Sequence, residues 1–177
     1  MKLTQTEKYL QQFSDYVMQQ SRSRLTKKKH NVSNELYNSL GYRVVKTAQG
    51  YRIDFFMEDY GKFINEGVRG VNSNYIVNKN SPFSYKPSSN LIGLEYATGT
   101  FAKWAKFRGL QPRDKKGRFG SYKTMGFILA QSIKKKGIKA TMFFTDPFNK
   151  AVERLPEELL ESFLLDIEQE LTILQKK

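Results

Sequence analysis

Twelve of the forty residues from Thr100 to Lys139 are Lys or Arg, and Asp114 is their only acid. Unpaired charge is heavily penalised in an apolar interior, so this stretch must lie on a surface wherever it folds. It is not a tail, however, because it also contains a helix-period apolar pattern. The cations therefore belong to a folded scaffold. Their density points to a polyanion or an acidic protein surface as partner, and away from a small-molecule enzyme.

The rest of the chain is charged differently. Residues 1–30 carry seven basic and two acidic residues, 31–99 seven and six, and 146–177 four and eight. A basic middle and an acidic end attract each other between copies as well as within one, which favours head-to-tail association. The length of 177 residues suits one domain with an ordinary core, and the thirteen Phe and ten Tyr supply large buried areas. With no cysteine, disulfides, thiolate metal sites and cysteine nucleophiles are excluded. The MKLTQTEKYLQQF start has no signal-like apolar stretch, and eighteen apolar residues never run together. The expectation is a soluble protein with no membrane partner.

Periodicity predicts a helix over 4–29, with Leu10, Phe13 and Val17 on one face and Lys27, Lys28 and Lys29 at its end. Asn31 or Ser33 is expected to cap a short turn through Glu35–Ser39. Tyr42–Thr47 and Tyr51–Met57 are rich in β-branched and aromatic residues and flank Ala48-Gln49-Gly50, which predicts a hairpin. Tyr60, Phe63 and Ile64 then have helical spacing, with Gly67 as a stop. Residues 68–95 read as a long loop rich in Asn, Ser and Pro. A helical turn or two is expected over Thr98–Phe107, then a Gly-rich basic loop over 109–121.

Tyr122–Lys136 reads as the central helix, its stripe formed by Tyr122, Met125, Leu129 and Ile133 and widened by Ile128. A strand is expected over Lys139–Thr145, and Asp146-Pro147 reads as a helix start. A last helix is expected from Pro156, with Leu160, Leu164, Ile167, Leu171 and Leu174 in a 4-3-4-3 rhythm. That ridge suits packing within its own domain or against a neighbouring copy. The expected fold is α+β: an antiparallel sheet, hairpin plus a later strand, packed against a central helix between N- and C-terminal helices. Residues 1–155 are read as one domain and 156–177 as a separate acidic helix.

The chemistry of a catalyst is thin. His30 is the only histidine and sits beside three lysines, and no P-loop, HExxH or Gly-x-Ser-x-Gly motif occurs. Asp54, Glu58, Asp59 and Glu66 near Lys62 are the one set that a metal nuclease could draw on. No cofactor and no resident metal are expected. The sequence Lys115-Lys116-Gly117-Arg118-Phe119-Gly120 combines cations, glycine-freed amides and a stackable ring, which suits a phosphate backbone or an acidic protein.

Several features together resemble the head–tail joining, or tail-completion (neck), proteins of tailed bacteriophages. Tyr60, Gly61, Phe63 and Gly67 match that family's Tyr-Gly-x-Phe/Tyr-x-x-x-Gly turn. Trp104, Gly109 and Gly126–Ile133 match its middle, and Phe143, Phe144, Pro147, Phe148 and Ala151 its Phe-Phe-x-x-Pro-Phe corner. The likeness spans about Leu36 to Leu155; the loop at 68–95 and the acidic C-terminal helix depart from it.

The resemblance implies a non-enzymatic virion protein, made and assembled in the bacterial cytoplasm. It would form a homo-oligomeric ring in the neck or upper tail, between portal or other neck and tail proteins, with DNA passing through. Lys115, Lys116, Arg118, Lys134, Lys135 and Lys136 are then the expected contacts to DNA or an acidic partner. Tyr60, Phe63, Arg69, Leu164, Ile167 and Leu171 are the expected subunit interface. The alternatives are a stand-alone basic DNA-binding protein and, behind it, a metal-dependent nuclease.

Overall fold

The computed structural model describes residues 4–28, 33–48, 50–72 and 80–175, the stretch 169–175 by backbone alone. In chain order its first elements are α1 (Thr4–Lys27), α2 (Glu35–Ser39), β1 (Gly41–Thr47), β2 (Gly50–Phe56), α3 (Gly61–Glu66) and β3 (Val68–Arg69). Then follow α4 (Leu91–Thr98), α5 (Thr100–Arg108), α6 (Tyr122–Lys136), β4 (Gly137–Ile138), α7 (Thr145–Val152) and α8 (Leu155–Gln175). The class is α+β, as expected. The later strand does not join the hairpin: β1 pairs with β2, and β4 pairs with β3 in a second two-stranded sheet. The chain divides into two compact units, one of residues 1–61 with 142–177, the other of residues 62–141.

In the first unit, α1 buries Leu10, Phe13, Val17, Met18 and Leu25. With Ser14 and Ser21, also buried, they form a stripe at helical spacing, so a single face of the helix meets the core. The hairpin runs in register from Gly41 opposite Phe56 to Thr47 opposite Gly50. Phe55 projects from β2 onto Phe144 and Phe148, edge-on to both at 5.5 and 5.8 Å, while those two rings stack at 5.7 Å. The Phe-Phe-x-x-Pro-Phe corner is thus a packing cluster that binds hairpin to α7. α8 lies along α1 and belongs to this same unit, so no boundary at 155 sets it apart.

The strand expected over 139–145 is absent; only Gly137–Ile138 is extended and paired. The Thr141 amide and hydroxyl are held by the carbonyls of Ile64 and Asn65, Met142 turns through a positive φ of 49°, and Phe143 is completely buried. An apolar run that reads as strand is a buried corner instead. Asp146 does not cap α7: the N-cap position is Phe144, and Asp146, inside the first turn, pairs with Arg24 of α1. Asn34, in a left-handed conformation without a side-chain cap bond, precedes α2 in place of Ser33; Asn31 lies outside the described residues.

In the second unit, α6 packs on α5 and α4. Its buried positions are Gly126 and Ala130, not the larger residues of the expected stripe, and Ile128 faces solvent. Ala105 of α5 is also fully buried, so the two helices approach through small residues. α4 is a helix where the sequence reads as loop. The Asn90 side chain accepts from the Gly93 amide at 2.8 Å to start it, and left-handed Gly99 ends it. Arg69 carries a partner on both sides, Gly137 of β4 and the strand-like Phe83–Tyr85 segment.

Candidate functional site

The division into units also divides the charge. Residues 62–141 hold sixteen basic and three acidic residues, a net +13 that equals that of the whole protein; the remaining residues carry fourteen of each sign. Two of the three acids in the second unit are consumed internally. Glu95 of α4 is 3% exposed, and its carboxylate accepts from the amides of Phe101 and Ala102 at 2.6 and 3.0 Å, capping the first turn of α5. Gly126 makes this possible: a Cβ there would lie 2.1 Å from the Glu95 Oε1.

Asp114 organises the basic loop. Its carboxylate accepts from the Lys116 and Arg118 amides at 2.8 and 2.9 Å and from the Arg118 Nε at 2.8 Å. The Arg118 amide first, and then its guanidinium, hold the Asp114 carboxyl below the usual range. The loop is closed at its neck by the Gly120 amide donating to the Pro112 carbonyl, and Arg113 bridges to Phe119. So 109–121 is a built turn, and within it Arg118, whose side chain is 75% exposed, is paired with Asp114.

The other expected cations, Lys134, Lys135 and Lys136, close the opposite end of α6. The Lys134 Nζ donates to the Pro87 carbonyl at 2.7 Å, and the backbone carbonyls of Lys134 and Lys135 receive the amides of Val71 and Asn72. Fifteen residues of helix set the two attachment points roughly 20 Å apart. The structure thus offers two cationic clusters, not one.

The expected interface residues are scattered. Tyr60, Leu164 and Ile167 lie in the first unit, Phe63 and Arg69 in the second. Phe63 is half-buried and packs edge-on against Phe83 at 4.7 Å, a core contact. Leu164 is 51% exposed, as are Leu160 and Leu165 to a similar degree, and Phe163 is 40% exposed. Ile167 is half-buried, and the Leu171 side chain lies outside the described residues. Of these leucines, Leu160 borders an open apolar groove of about 700 Å³ within the first unit, walled also by Leu10, Phe13, Ile53, Phe55, Leu159 and Phe163.

Sequence reasoning found one ring of the cationic unit, Phe119, and missed that Tyr96 and Phe107 are exposed with it. Tyr96 and Phe107 are 77% and 58% exposed, and Phe119 is 62% exposed. Arg113 sits over the Phe119 ring, Lys123 over Tyr96 and Arg108 over Trp104. Tyr96 falls between the loop expected over 68–95 and the helix expected from Thr98, in a stretch assigned to no element; aromatics interleaved with Lys and Arg are the available signal.

The acids weighed for a nuclease do not gather. Asp54 pairs with Arg52 at 3.0 Å on the hairpin, Lys62 rests over the Phe63 ring, and His30 lies outside the described residues. Among the described residues no three His, Cys, Asp or Glu side chains converge, and no helix is long and apolar enough to cross a membrane. No family model, no curated protein and no solved structure matches the chain.

Proposed function

We propose that this chain is a non-enzymatic assembly protein of a tailed-bacteriophage particle, a ring component of the head–tail connector or upper tail. The observation that carries the reading is the segregation of charge: a unit of net +13 joined to a unit of net zero. Two of the three acids of the cationic unit are spent on capping α5 and closing the basic loop, so its surface is left predominantly to the cations. Such a surface grips polyanionic or acidic neighbours.

A second surface supports assembly. α8 presents Leu160, Leu164 and Leu165 beside Glu157, Glu158 and Glu161. An acidic, apolar ridge on one copy complements the basic unit of the next, and a heterologous contact of this kind generates a ring when it closes. The sequence resemblance to neck proteins supplies the particle in which such a ring is used.

The test is the size of the full-length chain. Sedimentation over a range of concentrations, with electron microscopy of the fractions, is expected to give closed rings, alone or on a purified portal or neck ring. A chain that stays monomeric under all these conditions and is missing from purified particles would falsify the reading.

A further inference from the structure

We propose that the second unit binds single-stranded nucleic acid at the N-terminal end of α6, through exposed rings that alternate with cations. Phe119, immediately before the helix, is 62% exposed, with the Arg113 guanidinium 4.4 Å from its ring centroid. Lys123, in the first turn, lies 5.6 Å from the ring centroid of Tyr96, which is 77% exposed and tilted against Phe127 at 6.4 Å. Lys115 and Lys116 are exposed in the same loop as Phe119.

The rings are held in place. Asp114 binds three donors of its own loop, and the Gly120 amide closes the neck on Pro112, so Phe119 stands on a preorganised turn. Tyr96 is carried by α4, whose Glu95 anchors it to α5. Two large rings that remain this exposed have not been used for the core. Each leaves surface available for a second flat partner.

The chemistry separates the possible polyanions. A duplex keeps its base faces stacked inside and offers only phosphates, which would satisfy the lysines and leave both rings in water. An acidic protein surface offers carboxylates with few flat π faces. A single strand offers phosphates at backbone spacing together with open base faces, and each base stacked on an aromatic side chain adds affinity with little regard to its identity. This inference is independent of ring assembly.

Fluorescence anisotropy on the full-length protein tests it, with labelled oligothymidylate of about twenty nucleotides and a mixed-sequence duplex of equal length. The expected result is tighter binding to the single strand, weakening as salt rises. Phe119→Leu and Tyr96→Leu should each lower single-strand affinity about tenfold and leave duplex binding unchanged, whereas Tyr96→Phe should bind as wild type. Both positions are at the surface, and circular dichroism checks that the variants fold. Equal affinity for the duplex, or leucine variants that bind oligothymidylate as well as wild type, overturns the proposal and reduces the site to a phosphate contact. Either failure leaves the sedimentation test of assembly untouched.

Discussion

The Asp166 carboxylate accepts two hydrogen bonds from Thr6, one from its amide at 2.9 Å and one from its hydroxyl at 2.8 Å. It also accepts from the Gln5 amide at 2.9 Å. The first turn of α1 leaves amides without helical partners, and here a residue 160 positions away satisfies them. Asp166 is fully buried, and about two turns earlier in α8 Glu158 accepts from the Tyr9 hydroxyl at 2.7 Å. The first and last helices are thereby fastened to each other by polar groups as well as by packing.

Removing this carboxylate should cost far more than an ordinary surface change. Asp166→Ala strands several donors in a buried place, and a loss of about 3 kcal/mol is expected, against about 1 kcal/mol for Thr6→Val, which removes only the hydroxyl bond. Urea denaturation of the two variants measures both. Wild-type stability in Asp166→Ala would mean that the clasp is not formed in solution.

The same group makes stability depend on pH. Burial opposes its charged form, but the amides of Gln5 and Thr6, the Thr6 hydroxyl and the Thr4 amide outweigh that, and its carboxyl lies below the usual range. A depressed folded value means that the unfolded chain binds the proton more readily. The contribution is therefore complete above the unfolded value of about 3.9 and is lost as pH falls through the folded one. The stability difference between wild type and Asp166→Asn should be constant from neutral pH down to about 5 and shrink below about 4. A difference that grows on acidification would contradict this sign.

Gly126→Ala probes the corresponding carboxylate of the second unit. The added methyl would meet the Glu95 Oε1 at 2.1 Å and the Ala102 amide nitrogen at 2.8 Å, so either Glu95 leaves the α5 cap or α6 moves off α5. Overpacking of this kind costs about 1–3 kcal/mol. Hydrogen exchange should show faster amides at Phe101 and Ala102, with α1 unchanged. Unaltered protection at those two amides would argue that the contact yields without cost.

Leu164→Lys separates folding from assembly. Leu164 is 51% exposed, so stability should change by no more than about 0.5 kcal/mol. The substitution puts a cation on the ridge proposed to meet the basic unit of the next copy, and sedimentation should show rings lost or shifted to higher protein concentration. Rings that form as in wild type would remove α8 from the contact.

Much of the local structure was legible because it rests on short-range chemistry. The α6 bounds follow from an apolar period that begins after Ser121 and ends at three lysines and a glycine, and the hairpin from two β-rich runs around a short turn. α4 was not, since Leu91–Thr98 is short, contains Gly93 and has no clear polar face; its start depends on the Asn90 side chain finding the Gly93 amide. The corner at Met142–Phe143 escaped for the opposite reason, because strand-like composition was overruled by burial of Phe143 and the turn at Met142.

Residue order alone determined the sign and amount of charge, its crowding into the middle of the chain, and the helices and hairpin that periodicity dictates. Only the tertiary structure decided which acids offset that charge. Asp166, Glu95 and Asp114 look alike in the sequence, as acids among solvent-facing residues, yet the first two are buried caps on helices they do not belong to and the third closes its own loop. The reason is that a carboxylate leaves water only where several donors converge on it. For Asp166 that convergence is set by chain segments 160 residues apart meeting in space, which no spacing along the sequence encodes.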